Sequence, residues 1–150
     1  MSSGVRGDDG PSPELTRRLG YLFKHAQLRL YELTSAALEP YGVDGRDLAV
    51  LVVLAGHEQA SQLQLARRLS VDRTTMVALL DGLERRKLVA RRAHAEDRRK
   101  NTVELTATGR DVLDKASKAA EEAERRFLAP LSERDAQRLR ESLQAIVRAE

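Results

Sequence analysis

From Leu15 to Ala37 the apolar residues Leu15, Leu19, Leu22, Ala26, Leu30, Leu33 and Ala37 recur every three or four positions. That repeat is one face of an α-helix. Ser12 and Pro13 supply its N-cap and first position, and Pro40 with Gly42 end it. The block Leu48 to Ala55 is apolar nearly all round, which predicts a centrally buried helix capped by Asp44 and Asp47. Ser61 with Gln64 forms a capping box ahead of Leu63, Leu65, Ala66 and Leu69. Asp72 opens a fourth helix running to about Lys87, its inner face Met76, Leu79, Leu80 and Leu83. Leu88 to Ala90 and Val103 to Leu105 flank a polar tip and read as a β-hairpin. Thr106 caps a fifth helix with a spine from Val112 through Ala116 and Ala123 to Phe127. Pro130 breaks it, and Ser132 with Asp135 opens a sixth carrying Leu139, Leu143, Ile146 and Val147.

The expected fold is mainly α (α+β): a winged helix-turn-helix with N- and C-terminal dimerisation helices. In this reading residues 1–12 are a disordered tail rich in Gly, Ser and Asp, and 13–43 a dimerisation helix. Residues 44–106 are the winged helix-turn-helix DNA-binding domain, and 107–150 are C-terminal dimerisation helices. The first, fifth and sixth helices each carry an apolar stripe that a small central module cannot cover. Two copies interlocking these helices solve the burial problem, so a homodimer is expected.

Composition adds three points. Aromatics make up 3% of the chain and Trp is absent, so the core is built from Leu, Val and Ala, which favours helices. The net charge is only +3, but between Arg67 and Lys100 eleven Arg or Lys face five acids, so this local excess of six leaves −3 on the remainder. Concentrated positive charge draws polyanions through counterion release, although a solvated charged face has the same composition. The absence of Cys excludes disulfides, thiolate catalysis and cysteine redox sensing. The polar start MSSGVRGDDGPSP is no signal peptide, and the longest apolar run is too short to span a bilayer. A cytoplasmic protein with no membrane partner is expected.

The fourth helix begins Asp72-Arg73-Thr74-Thr75. Arg73 can fork onto guanine, and Thr74 and Thr75 can meet phosphate or base edges; for Thr75, simple capping of the helix is the alternative. Ala95 to Asn101 places Arg98, Arg99 and Lys100 at a hairpin tip of the size that enters a minor groove. Asp97 makes sense there as an anchor that aims an Arg. Arg67 on the third helix, Arg85 at the end of the fourth and Arg91 on the hairpin are further candidates for DNA contact; pairing with Glu84 or with a helix C-terminus is their other role.

The stretch LARRLSVDRTTMVALLDGLERRKLVARRAHAEDRRKNTVELTATG resembles the MarR family of bacterial winged helix-turn-helix regulators. The matching parts are Leu65-Ala66, Val71 to Thr75, Leu83-Glu84 with Leu88-Val89, Asp97-Arg98-Arg99, and Leu105-Thr106 with Gly109. The resemblance extends over about residues 13–148. It implies a triangular dimer, with the fourth helix in the major groove and the wing in the adjacent minor groove. In the wing it makes Asp97 the orienter and Arg99 the minor-groove finger. It also implies repression relieved by a small phenolic or anionic effector bound between the dimer core and the DNA-binding lobes. One departure stands out: where the family has Gly at the exit of the recognition helix, this chain has Lys87.

Tyr21, His25 and Arg46 are the candidate ligand-pocket residues, an aromatic wall with a nearby cation; rim residues of a dimer core would look the same. Lacking Cys and Trp, the chain departs from the peroxide-sensing and urate-responsive branches of that family. His25, His57 and His94 lack metal-ligand spacing, and no catalytic constellation is visible. No cofactor and no enzyme activity are expected. The sequence thus reads as a homodimeric regulator of double-stranded DNA. An architectural DNA-binding protein without an effector and a helical interaction adaptor remain as alternatives.

Overall fold

The computed structural model describes residues 10–56, 59–93 and 102–149. Its elements run α1 (Pro13–Thr16), α2 (Leu19–Leu38), a 3-10 turn (Glu39–Tyr41), α3 (Gly45–Gly56), β1 (Ala60–Ser61), α4 (Gln62–Leu69), α5 (Arg73–Arg85), β2 (Val89–Arg92), β3 (Thr102–Leu105), α6 (Ala107–Leu128) and α7 (Glu133–Arg148). The three strands form one antiparallel sheet in the order β1-β3-β2, with Ala60 opposite Val103 and Val89 opposite Leu105.

Most boundaries follow from short polar side chains that satisfy the orphan N–H groups at helix starts. Ser12, Ser61, Asp72, Thr106 and Ser132 each accept a backbone N–H three residues on. The Ser61–Gln64 box is reciprocal, and so are the bonds between Asp44 and Asp47, at 2.8 and 3.1 Å. The core joins Val50, Leu51 and Leu54 of α3 to Leu65, Met76, Leu80 and Leu83 of the helix-turn-helix and to Val89 and Val103 of the sheet. Leu38, at the end of α2, reaches the same core.

Three expectations change. The first long helix is two, because Arg18 takes an extended backbone (ψ 131°) between α1 and α2; no Pro or Gly marks that break. α3 is not buried all round, since Val52 is 52% exposed opposite the core-facing Val50, Leu51 and Leu54. A third strand exists: β1 adds two residues at the free edge of β3, too few for a periodic signal.

α5 leads into β2 through Lys87, whose φ is +60°. A lysine in this left-handed region bears about 1 kcal/mol of strain that Gly avoids. The turn nonetheless forms, because it directs the Lys87 and Leu88 carbonyls at Thr106. The Thr106 hydroxyl donates to the Lys87 oxygen at 2.6 Å, with the Leu88 oxygen 3.1 Å away, and the Thr106 N–H donates to the Leu88 oxygen at 3.1 Å. Gly109, on the first turn of α6, lies flat against this junction. A methyl group there would overlap the Leu88 carbonyl, its carbon sitting 2.9 Å from the carbonyl carbon.

Two substitutions check this reading by thermal melting. Gly109→Ala should destabilise by about 1–3 kcal/mol, the range for forced overpacking. Lys87→Gly should stabilise by about 1 kcal/mol, by relieving the left-handed strain.

Candidate nucleic-acid interface

The helix-turn-helix is α4, a short turn and α5. Ser70 takes a left-handed conformation (φ +53°) that ends α4, and the Val71 N–H returns to the Ala66 oxygen at 3.1 Å. Buried Leu65, Ala66, Met76, Leu80 and Leu83 pin both helices to α3 and the sheet. Pinning the inner face leaves the N-terminal turn of α5 open, with Arg73 and Thr74 exposed and Ala78 one turn further along. A helix N-terminus with free cationic and hydroxyl side chains suits the floor of a major groove.

Asp72 sets that turn. Its carboxylate accepts the Thr75 N–H at 2.7 Å and the Thr75 hydroxyl at 3.0 Å. Those bonds hold its pKa below the usual carboxylate value of 3.8, the backbone bond from Thr75 contributing most. The Thr75 hydroxyl proton is therefore committed to the cap. Of the two readings of this residue the described geometry displays the capping one, while Arg73 and Thr74 keep their outward positions.

The remaining cations differ in their surroundings. Arg67 is exposed on α4, the helix that precedes the turn. Arg85 is exposed, with its Nε donating to the Asp81 oxygen at 3.3 Å along its own helix. Of the two roles open to Arg91, DNA contact or pairing with Glu84, this geometry displays the pairing. Its side chain is mostly covered and is drawn back onto α5, where Nη1 meets the Asp81 carboxylate at 2.7 Å and Glu84 at 4.0 Å. Its buried Nε has no partner among the described residues. Arg91 thus ties the first wing strand to the recognition helix. Arg92 pairs with Glu104 across the hairpin at 2.6 Å. Asp97, Arg98, Arg99 and Lys100 lie outside the described residues.

Tyr21 and His25 share a face of α2, their ring centroids 4.1 Å apart and tilted by 35°. Arg46 is exposed on the first turn of α3. A cleft of about 320 Å³ lies between α2 and α6, lined by Leu33, Ala36, Ala37, Ala119, Ala123 and Arg126 among others. None of Tyr21, His25 and Arg46 borders it. Among the described residues no His, Asp and Glu cluster suits a metal ion, and no helix is long and apolar enough to cross a membrane.

The ion pair between Asp47 and Arg86 escapes sequence reading. Asp47 is visible as a capping residue, but nothing local says that its carboxylate is buried and faces an arginine 39 positions away. Asp81 and Arg91 are ten positions apart, and only the hairpin's return along α5 brings them together.

A three-helix core, an antiparallel hairpin wing and an open recognition-helix N-terminus define a winged-helix transcriptional regulator. Comparison with known proteins agrees. Residues 41–100 match the model of the MarR family. The HTH-type transcriptional repressor Rv2887 of Mycobacterium tuberculosis (strain ATCC 25618 / H37Rv) is 33% identical over 139 residues, covering 91% of this chain and 95% of that protein. The repressor YetL of Bacillus subtilis (strain 168) is 40% identical over 67 residues, covering 45% of this chain and 40% of that one. Among solved structures, a transcriptional repressor CouR bound to a 23-mer DNA duplex is 33% identical, with a TM-score of 0.87 over 93% of this chain and 99% of that one. CouR from Rhodococcus jostii RHA1 bound to p-coumaroyl-CoA is 27% identical, with a TM-score of 0.79 over 93% and 98%. The chain belongs to the MarR family, as the resemblance implied, and is a DNA-binding transcriptional regulator.

The cap at Asp72 has a pH signature. A carboxylate whose folded pKa is lowered adds stability above its unfolded value, and that stability disappears as pH falls through the lower folded value. The melting difference between the parent protein and Asp72→Ala should be full at pH 6. It should shrink below pH 3.8 and level off, once the folded-state value is passed, at the smaller value of a neutral cap.

Proposed function

We propose that the chain acts as a homodimeric repressor of a pseudo-palindromic operator, released by a small phenolic or anionic effector. The observation that carries this reading is the open N-terminal turn of α5, which offers Arg73 and Thr74 to a major groove while Asp72 holds the turn from behind. In this reading Arg73 forks onto a guanine and Thr74 meets a base edge or phosphate. Thr75 supports them through the cap, and Arg67 and Arg85 approach phosphates. The wing brings Arg99 into the minor groove with Asp97 orienting it, and Arg98 and Lys100 beside the backbone. Arg91 serves chiefly by holding the wing strand to α5. Residues 44–106 form the DNA-reading unit, and 13–43 and 107–150 pair the two copies.

Pairing is supported by faces left uncovered in one chain. α7 has no buried residue, and Leu19, Ile146 and Val147 are 71%, 63% and 82% exposed. Apolar stripes of this length are normally covered. A CouR structure holding p-coumaroyl-CoA supports an effector, and the stacked Tyr21–His25 pair is the proposed wall of its site, with Arg46 as the cation.

Two variants test the DNA-reading roles on an operator selected from random duplexes. Arg73→Ala should cost about 1–3 kcal/mol and relax specificity at one base pair per half-site. Arg99→Ala should weaken binding at least tenfold and lower the salt slope by about one, while the dimer persists. Unchanged affinity in salt-titrated gel shifts removes the corresponding role. An affinity ratio near one between the selected operator and random duplex would favour an architectural protein instead.

A further inference from the structure

Arg86 closes the recognition helix, and its guanidinium is spread over three segments of the chain. Nε donates to the Gly82 oxygen at 3.0 Å within α5. Nη1 donates to the Gly42 oxygen, in the left-handed turn that ends the α2 arm, and to the Asp47 carboxylate at 3.2 Å. Nη2 meets the other Asp47 oxygen at 3.2 Å. Asp47 is only 6% exposed, and its carboxylate also accepts the Asp44 N–H that starts α3. A planar fork with fixed donor directions is the group suited to hold three acceptors at set angles; a lysine ammonium is not.

We infer that Arg86 is a positioning residue that, through Asp47 of α3 and the Gly42 carbonyl at the end of the arm, fixes the recognition helix where the arm enters the DNA-reading unit, and thereby sets the separation of the two recognition helices in the dimer. The lever is long. α5 spans 13 residues, about 20 Å at 1.5 Å per residue. A rotation of roughly 10° at the Arg86 end moves the Arg73 end by about 3.5 Å, close to one base-pair step of 3.4 Å. Gly42 takes φ +67° where the arm enters the DNA-reading unit, and Arg86 bonds to its carbonyl. Half-site spacing is thus read by the protein's own geometry as well as by contacts to DNA. The whole inference rests on the homodimer of the reading above, and its DNA half rests on operator binding as well.

The chain has no cysteine, so Ala78→Cys gives one spin label per protomer on the recognition helix. Pulsed electron paramagnetic resonance then reads the distance between the two helices of a dimer without DNA. Arg86→Met and Asp47→Asn should broaden that distribution at least twofold, and Arg86→Lys should fall between them and the parent. Leu65→Ala, a core cavity that leaves the Arg86 hydrogen bonds in place, should lower the melting temperature with less broadening than Arg86→Met. If Arg86→Met fails to fold, Asp47→Asn and Arg86→Lys decide. In unlabelled protein, the affinity ratio between the selected operator and one lengthened by a base pair at its centre should fall about tenfold in Arg86→Met. The salt slope should stay unchanged, because no phosphate contact is lost. A distribution no broader in Arg86→Met or Asp47→Asn than in the parent overturns the brace, as does the absence of any inter-protomer distance. A parent protein that binds no duplex removes the DNA reading, while the distances still decide the brace.

Discussion

The Leu88 carbonyl is the point on which the DNA-reading unit is assembled. The Leu88 N–H returns to the Leu83 oxygen at 3.0 Å, closing the recognition helix. The Leu88 oxygen accepts from Thr106, where the hairpin ends and α6 begins. Gly109 then brings the backbone of α6 into contact with it. The exit of α5, both inner ends of the wing strands and the start of α6 therefore meet within one short stretch. A buried carbonyl left unbonded would cost a few kcal/mol, so this junction is specified by more than shape. It explains why Thr, then any two residues, then Gly is needed here. The Thr caps the helix and crosses to the Lys87 oxygen, and the Gly one turn later makes room for the approach.

Charge divides along the same lines. The arginines around α5 do two kinds of work, and composition does not separate them. Arg86, Arg91 and Arg92 are paired within the protomer with Asp47, Asp81 and Glu104, while the Arg92 side chain stays 68% exposed. Arg67, Arg73 and Arg85 keep exposed positions. A basic count over this region overstates what is available to a polyanion. Asp81 and Glu84 show why: acids on the recognition helix would repel phosphate if left free, but they hold the wing strand by way of Arg91. Such partly exposed pairs add little stability by themselves. Their value is directional, since each fixes the angle between two elements that the groove must meet together.

Much of this was legible in the sequence because the signals are local. Helix starts announce themselves through a Ser, Thr or Asp and the N–H three residues on, and helix faces through a repeat of three or four. Lys87 was visible in the sequence only as a departure from the family's Gly; that a lysine takes φ +60° there comes from the structure. Illegible were the relations between distant segments: the Asp47–Arg86 pair, the contact of Arg91 with Asp81, and β1, whose two residues carry no period. The break at Arg17 and Arg18 was hidden for the opposite reason. An intact apolar repeat runs through it, and no residue there resists the helix. The likeness to known regulators supplied the roles of Asp97 and Arg99, which periodicity alone could not assign.

α7 shows how stability and function connect. Its 16 residues include none that is buried, and its Arg140 meets Glu124 of α6 only at 3.4 Å between exposed side chains. An isolated helix of this length is marginal in water, and an exposed ion pair does not rescue it. The leucine and isoleucine stripe of α7 must therefore be covered by something other than its own protomer. If a second copy covers it, the arms become one rigid body and the two winged units hang from it at a fixed distance. Burial and geometry then answer to the same surface: the contact that stabilises the terminal helices is the one from which the Arg86 brace measures the position of each recognition helix.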